Sequence, residues 1–183
     1  MHRFIWNLAW GTSGVTETDE PDDGEGDIPR GPRVPPGKYT LELDVDGRKA
    51  APEMLLVVKD PRSPASQVEL EEQFRAGYKI FAESLDARRA LAEIGSVQNQ
   101  LGKSIAKEIE ANAELKKRAS DLSAAINRLL SGRPQLPEKT LGLEQANTAL
   151  TAALHVVESS DRPAPSQALV LYADCLLYTS RCV

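Results

Sequence analysis

Reactive side chains are scarce in this 183-residue chain, which holds two cysteines and two histidines. Both cysteines, Cys175 and Cys182, sit at the extreme C-terminus. That excludes a disulfide framework and a cysteine metal site with paired spacing. His2 and His155 are remote in sequence, and His155 stands between Leu154 and Val156. It reads as a partly exposed or interface histidine, not a catalytic base. Aromatic residues make up only 5% of the chain against 41% hydrophobic residues overall. A core of Leu, Ala, Ile and Val, as helical bundles use, fits better than an aromatic-rich β-barrel. Long apolar runs are missing too: none approaches the roughly 18–20 residues that span a bilayer. Met1-His2-Arg3-Phe4-Ile5-Trp6-Asn7-Leu8-Ala9-Trp10 has an early basic residue but neither a long apolar region nor a small-residue cleavage site, and makes a poor signal peptide.

The motifs of common chemistries are absent as well. No HExxH, Cys-x-x-Cys, phosphate-binding loop or dinucleotide-binding glycine pattern occurs. Gly11-Thr12-Ser13-Gly14 lacks the spacing of a nucleophile elbow and has no assignable histidine base. The net charge of −5 is concentrated between Glu17 and Asp27, where seven acids (Glu17, Asp19, Glu20, Asp22, Asp23, Glu25 and Asp27) stand without a base. The remainder is near neutral, and with no basic face for phosphates a nucleic-acid partner is not expected. Asp19, Asp22, Asp23, Glu25 and Asp27 offer carboxylates to a cation, but not at EF-hand spacing. The stretch reads as a solvated surface insertion, with a weak cation site as the alternative. Glu69, Glu71, Glu72, Glu83, Asp86, Glu93, Glu108, Glu110 and Glu114 sit among Lys and Arg at helix-surface positions. They read as solubilising charges and i,i+4 pairs, not as the paired carboxylates of glycoside hydrolysis. Lys116-Lys117-Arg118 reads likewise as a solvated face. No catalytic, cofactor-binding or metal-ligating residue emerges, and no cofactor is expected.

What is present is pattern. Residues 1–60 read as β structure, with a short strand at Phe4-Ile5-Trp6 and a Pro/Gly-punctuated loop from Pro29 to Gly37. Tyr39, Leu41, Leu43 and Val45 alternate with Thr40, Glu42 and Asp44, predicting a strand with one apolar and one wet face. Asp46-Gly47 supplies a hairpin turn. The return strand runs over about 48–59, and Pro52 marks an edge or a bulge there. Residues 61–65 form a Pro-rich linker. Ser66-Gln67-Val68-Glu69 is a capping box, after which the hydrophobic period changes from 2 to 3.6. Helices are predicted at about 66–110, 112–131, 140–160 and 166–174. The first would hold about 44 residues over roughly 66 Å if unbroken, with Gly102 a point where it could bend. Asn112 is a candidate N-cap, and Leu115, Ala119, Leu122, Ile126 and Leu129 form a 4-3-4-3 seam. Gly132 is placed to end that helix. Leu143, Ala146, Leu150, Leu154 and Val157 should face inward on the third. Short loops between long helices imply antiparallel neighbours.

Three segments carry a family resemblance: His2 to Leu8, Gly31-Pro32-Arg33-Val34-Pro35-Pro36-Gly37-Lys38-Tyr39-Thr40-Leu41, and Asp60-Pro61-Arg62. They resemble the C-terminal region of secreted BNR-repeat, sortilin-like β-propeller proteins, which are often labelled glycosyl hydrolases. Asn7 departs from the Asp more usual after that Trp. The resemblance implies an α+β fold: a partial Ig-like antiparallel sheet over 1–60, then an antiparallel helical bundle with a long helical hairpin over 66–174. It also implies an extracellular or periplasmic parent with a propeller upstream as partner, Met1 then being an internal methionine. Cys175-Leu176-Leu177-Tyr178-Thr179-Ser180 matches the translation of a transposon-end sequencing adapter, so 175–183 is expected to be an artefactual tail. The function expected is that of a non-catalytic accessory segment. The alternatives are a part that shapes the substrate cleft of a glycosyl hydrolase-like enzyme through the Arg30–Tyr39 loop, and a helical oligomerisation or partner-binding module.

Overall fold

The computed structural model describes residues 6–11, 31–104, 106–133, 140–159 and 162–179. The fold is α+β. Its elements are β1 (Gly37–Leu41), β2 (Asp44–Val45), β3 (Arg48–Lys49), β4 (Glu53–Val57), α1 (Gln67–Asn99), a π-helical turn (Gln100–Ser104), α2 (Ala106–Ala111), α3 (Ala113–Ser131), β5 (Gly132–Arg133), β6 (Thr140–Leu141), α4 (Leu143–Glu158) and α5 (Ser166–Thr179). Two compact units are formed, Met1–Lys79 with His155–Pro165, and Ile80–Leu154 with Ser166–Val183. The division falls within α1 and α4 and not at the 61–65 linker.

In the first unit the hairpin forms where the alternation predicts it. Asp46 and Gly47 both have positive φ (52° and 78°), which lets a two-residue turn match the twist of its strands. The Asp44 side chain fixes the turn by accepting the Gly47 N–H at 2.9 Å. Leu41 pairs with Glu53 and Asp44 with Lys49, so three residues ending in Pro52 oppose two on the facing strand. That is a bulge, placed where proline has no donor to lose. The expected apolar face is largely uncovered, however. Tyr39 and Leu55, paired across the ladder, are half-buried, whereas Leu41, Leu43 and Val45 are exposed. A ribbon of two strands has no second layer to stack on its outer half.

The expected Phe4–Trp6 strand lies mostly outside the described residues, and Trp6 itself is not in a strand. The β contact comes later, at Ala9, which bridges Arg33 antiparallel. Trp10 N donates to Pro32 O and Val34 N to Leu8 O, each at 2.8 Å. Gly31 permits this approach: a Cβ there would lie 2.1 Å from Trp10 O. The linker is an ordered turn. Arg62 donates its N–H to Asp60 Oδ1 at 2.9 Å and its guanidinium to Oδ2 at 2.8 Å. The capping box forms as read, with Ser66 N donating to Glu69 Oε2 at 2.7 Å and Glu69 N to Ser66 Oγ at 3.2 Å.

In the second unit the first long helix is not continuous to residue 110. It ends at Asn99, passes through the π-helical turn that contains Gly102, and resumes as α2. Asn112 then caps α3, its side chain accepting from the N–H of Glu114 (2.9 Å) and Leu115 (3.2 Å). Gly132 ends α3 with φ 70°, its N–H donating to Arg128 O. The α3 seam is only partly covered, since Ile126 is buried while Leu115, Leu122 and Leu129 are exposed. The core instead gathers Ile80, Phe81 and Ala87 of α1, Ile126 of α3, Ala146, Leu150, Ala153 and Leu154 of α4, and Ala168 of α5. Val157, also inward as expected, is buried in the first unit. Helix α4 begins at Leu143, three residues after the expected start, because Thr140–Leu141 pairs with Gly132–Arg133. Helix α5 continues to Thr179, past the expected end at Asp174.

Candidate functional site

The first unit contains a cleft of about 190 Å³. Its walls follow from the local chain chemistry. Pro35 and Pro36, which lack N–H groups, extend from the Leu8–Trp10 pairing and form one side. Val57, Val58 and Lys59 at the end of β4 form another, and Leu70 and Gln73 of α1 and Glu158 of α4 complete it. Small-molecule pockets usually enclose about 300–1,000 Å³, so this cleft suits a few waters or one side chain.

Its polar groups are mostly committed to structure. Lys59 Nζ donates to Ser63 O (3.1 Å) and Ala65 O (2.8 Å), holding the turn. Gln73, almost fully buried, donates its amide to Val157 O at 2.5 Å. The bonds from the Arg62 side chain and then the Arg62 N–H hold the Asp60 carboxyl below its usual range. Glu158 differs. Burial pushes its carboxyl above the ordinary value, against the opposing pull of the Arg33 N–H at 3.0 Å and the Arg33 charge. Among the described residues it is the one carboxyl shifted upward by its surroundings. The arrangement favours the protonated form of Glu158 more than open solvent does.

Beside the cleft, aromatic rings brace the unit. Trp10 meets Phe74 and Tyr78 edge-on at 5.6 and 5.8 Å. Trp6 meets Tyr39 at 5.5 Å and donates its indole N–H to Ala9 O at 3.0 Å. The Tyr39 hydroxyl donates to Pro35 O at 2.5 Å, and burial raises its pKa.

His155 is exposed on α4 and does not line the cleft. His2, the acidic stretch from Glu17 to Asp27, Thr12 to Gly14 and Cys182 lie outside the described residues. Cys175 falls within α5. Of the Arg30–Tyr39 loop, Arg33 to Pro36 wall the cleft. Among the described residues, no group of three or more His, Cys, Asp or Glu side chains could hold a metal ion, and no helix is long and apolar enough to cross a membrane. Sequence reasoning missed Glu158. A signal existed, because an acid in the last turn of a helix opposes the macrodipole and needs a reason to be there. The Arg33 N–H, 125 positions away, is that reason and could not be read locally.

Comparison with protein-family models, with curated proteins and with solved structures gives no match to this chain.

Proposed function

We propose that the chain is a non-catalytic accessory segment of a larger exported β-propeller protein, docking against or spacing the propeller that precedes it. The observation that carries this reading is the hairpin. Met54, Leu56 and Val58 remain 66%, 62% and 72% exposed, a density of uncovered apolar side chains that marks an interaction surface. The resemblance of Gly31–Leu41 and Asp60–Arg62 to propeller-associated strands supplies the kind of partner. Sequencing the genomic DNA upstream of this reading frame tests it. A continuous propeller-coding region is expected, and its absence overturns the partner. Glycoside turnover by the purified chain would overturn the accessory role.

A second reading, a segment that shapes a substrate cleft in a glycosyl hydrolase-like parent, draws support from the cleft wall at Arg33–Pro36. Truncating the parent at Asp60 should then weaken substrate binding, and unchanged affinity would remove this option.

A further inference from the structure

The side-chain face of the hairpin is one surface and its backbone edge is another. Strand β4 pairs with β1 alone. Among the described residues, no backbone hydrogen bond outside that ladder involves residues 53–58. The two edges of this ribbon are not equivalent. Proteins protect open edges with charge and proline. The β1 edge has both, with Pro35-Pro36 before it and Lys38 within it. The β4 edge has Pro52 and Glu53 only at its start and then runs Met54-Leu55-Leu56-Val57-Val58 with neither, which is the composition that seeks another strand.

We infer that a second copy of this chain is the occupant: two β4 strands pair antiparallel across a two-fold axis at Leu56. This rests on reading the hairpin as an interaction surface, and it names a partner for the edge. The register follows from charge. With Leu56 opposite itself, Leu55 faces Val57, Met54 faces Val58, and Glu53 of one copy faces Lys59 of the other. The strand is thus apolar through its middle and closed at each end by opposite charges. Lys59 Nζ also donates to Ser63 O and Ala65 O, neutral carbonyls that leave its positive charge uncancelled. Like charges directly opposite across strands destabilise pairing, whereas opposite charges support it. The product is a four-stranded sheet in the order β1-β4-β4-β1. It joins two ribbons that are each marginal alone, through an isologous contact that closes on itself.

Sedimentation of the full chain over a range of concentrations tests this. A reversible monomer–dimer equilibrium is expected. Glu53→Lys should weaken it by facing Lys59 of the other copy with a like charge. Leu56→Lys, which sets two like charges on the axis, should abolish the dimer. Thr40→Lys, on β1 and facing the same side as Leu56, should leave it intact. Circular dichroism confirms that each variant keeps its helices. A monomer at every concentration, or a dimer insensitive to both Glu53→Lys and Leu56→Lys, overturns the inference. Its failure is separable from failure of the proposed function. A monomeric chain whose gene is preceded by a propeller loses the dimer and keeps the accessory role, and a dimer without an upstream propeller does the reverse.

Discussion

The backbone N–H of Arg33 donates to the Glu158 carboxylate at 3.0 Å, joining the Pro-rich strand segment to the last turn of α4. Burial nonetheless favours the protonated acid and raises its pKa above the usual 4.5. The stability this protonation lends is fully present below the unfolded-state pKa and is lost as pH rises through the folded-state value. Glu158→Gln retains an acceptor for the Arg33 N–H without a charge to desolvate. Wild type and variant should melt alike in acid, and wild type should fall behind as pH rises from about 4.5 through the raised pKa. Thermal melts of both proteins across that range check this, and parallel curves would refute it.

Gly31 is set against Trp10 with no space for a side chain. Gly31→Ala should cost about 1–3 kcal/mol as the strand pairing is pushed apart. Gly11→Ala, whose Cβ would meet nothing within 4 Å, should be near neutral. Chemical denaturation followed by tryptophan fluorescence distinguishes them.

Leu150 is fully buried on α4, while Leu122 on the α3 seam is 44% exposed. Leu150→Ala should destabilise by about 2–5 kcal/mol. Leu122→Ala should cost about 1 kcal/mol or less, since much of its side chain already meets water. Equal losses in calorimetry would mean that the seam is covered in solution.

The caps on α1 and α3 respond differently to acid. The Glu69 carboxyl is held below its usual range by the Ser66 N–H and then the Ser66 hydroxyl. Its contribution is present above the unfolded-state pKa and lost as pH falls through the folded-state value. Amides in the first turn of α1 should therefore lose protection in acid, and Glu69→Gln should remove that dependence. Asn112→Ala should cost about 1 kcal/mol and free the amides of Glu114 and Leu115 at any pH. Hydrogen exchange reads both effects.

At concentrations where the chain is monomeric, hydrogen exchange should also show the β1–β4 ladder opening before α4. The ribbon has two strands and an uncovered outer half, whereas α4 buries Ala146, Leu150, Ala153, Leu154 and Val157. Slower exchange in the ribbon than in α4 would indicate strand pairing beyond one chain.

Features that depend on neighbours along the chain could be read from the sequence. The Asp46-Gly47 turn, the Pro52 bulge, the Ser66–Glu69 box, the Asn112 cap and the inward face of α4 each need only a few residues to be specified. The π-helical turn at Gln100–Ser104 was legible only as a weak point at Gly102, because a change in helical pitch leaves no hydrophobic signature. The sequence by itself thus determined the hairpin, the caps and the helix faces, but not the Ala9–Arg33 bridge, the break after Asn99 or the Thr140–Leu141 pairing. Only the tertiary structure decided which apolar stripes are covered: α4 is, while Met54, Leu56 and Val58 and most of the α3 seam are not, although all are equally apolar in the sequence. Only it could place Glu158 on the Arg33 amide. Periodicity records which side chains share a face, but burial depends on what packs there, and that partner can lie more than a hundred residues away.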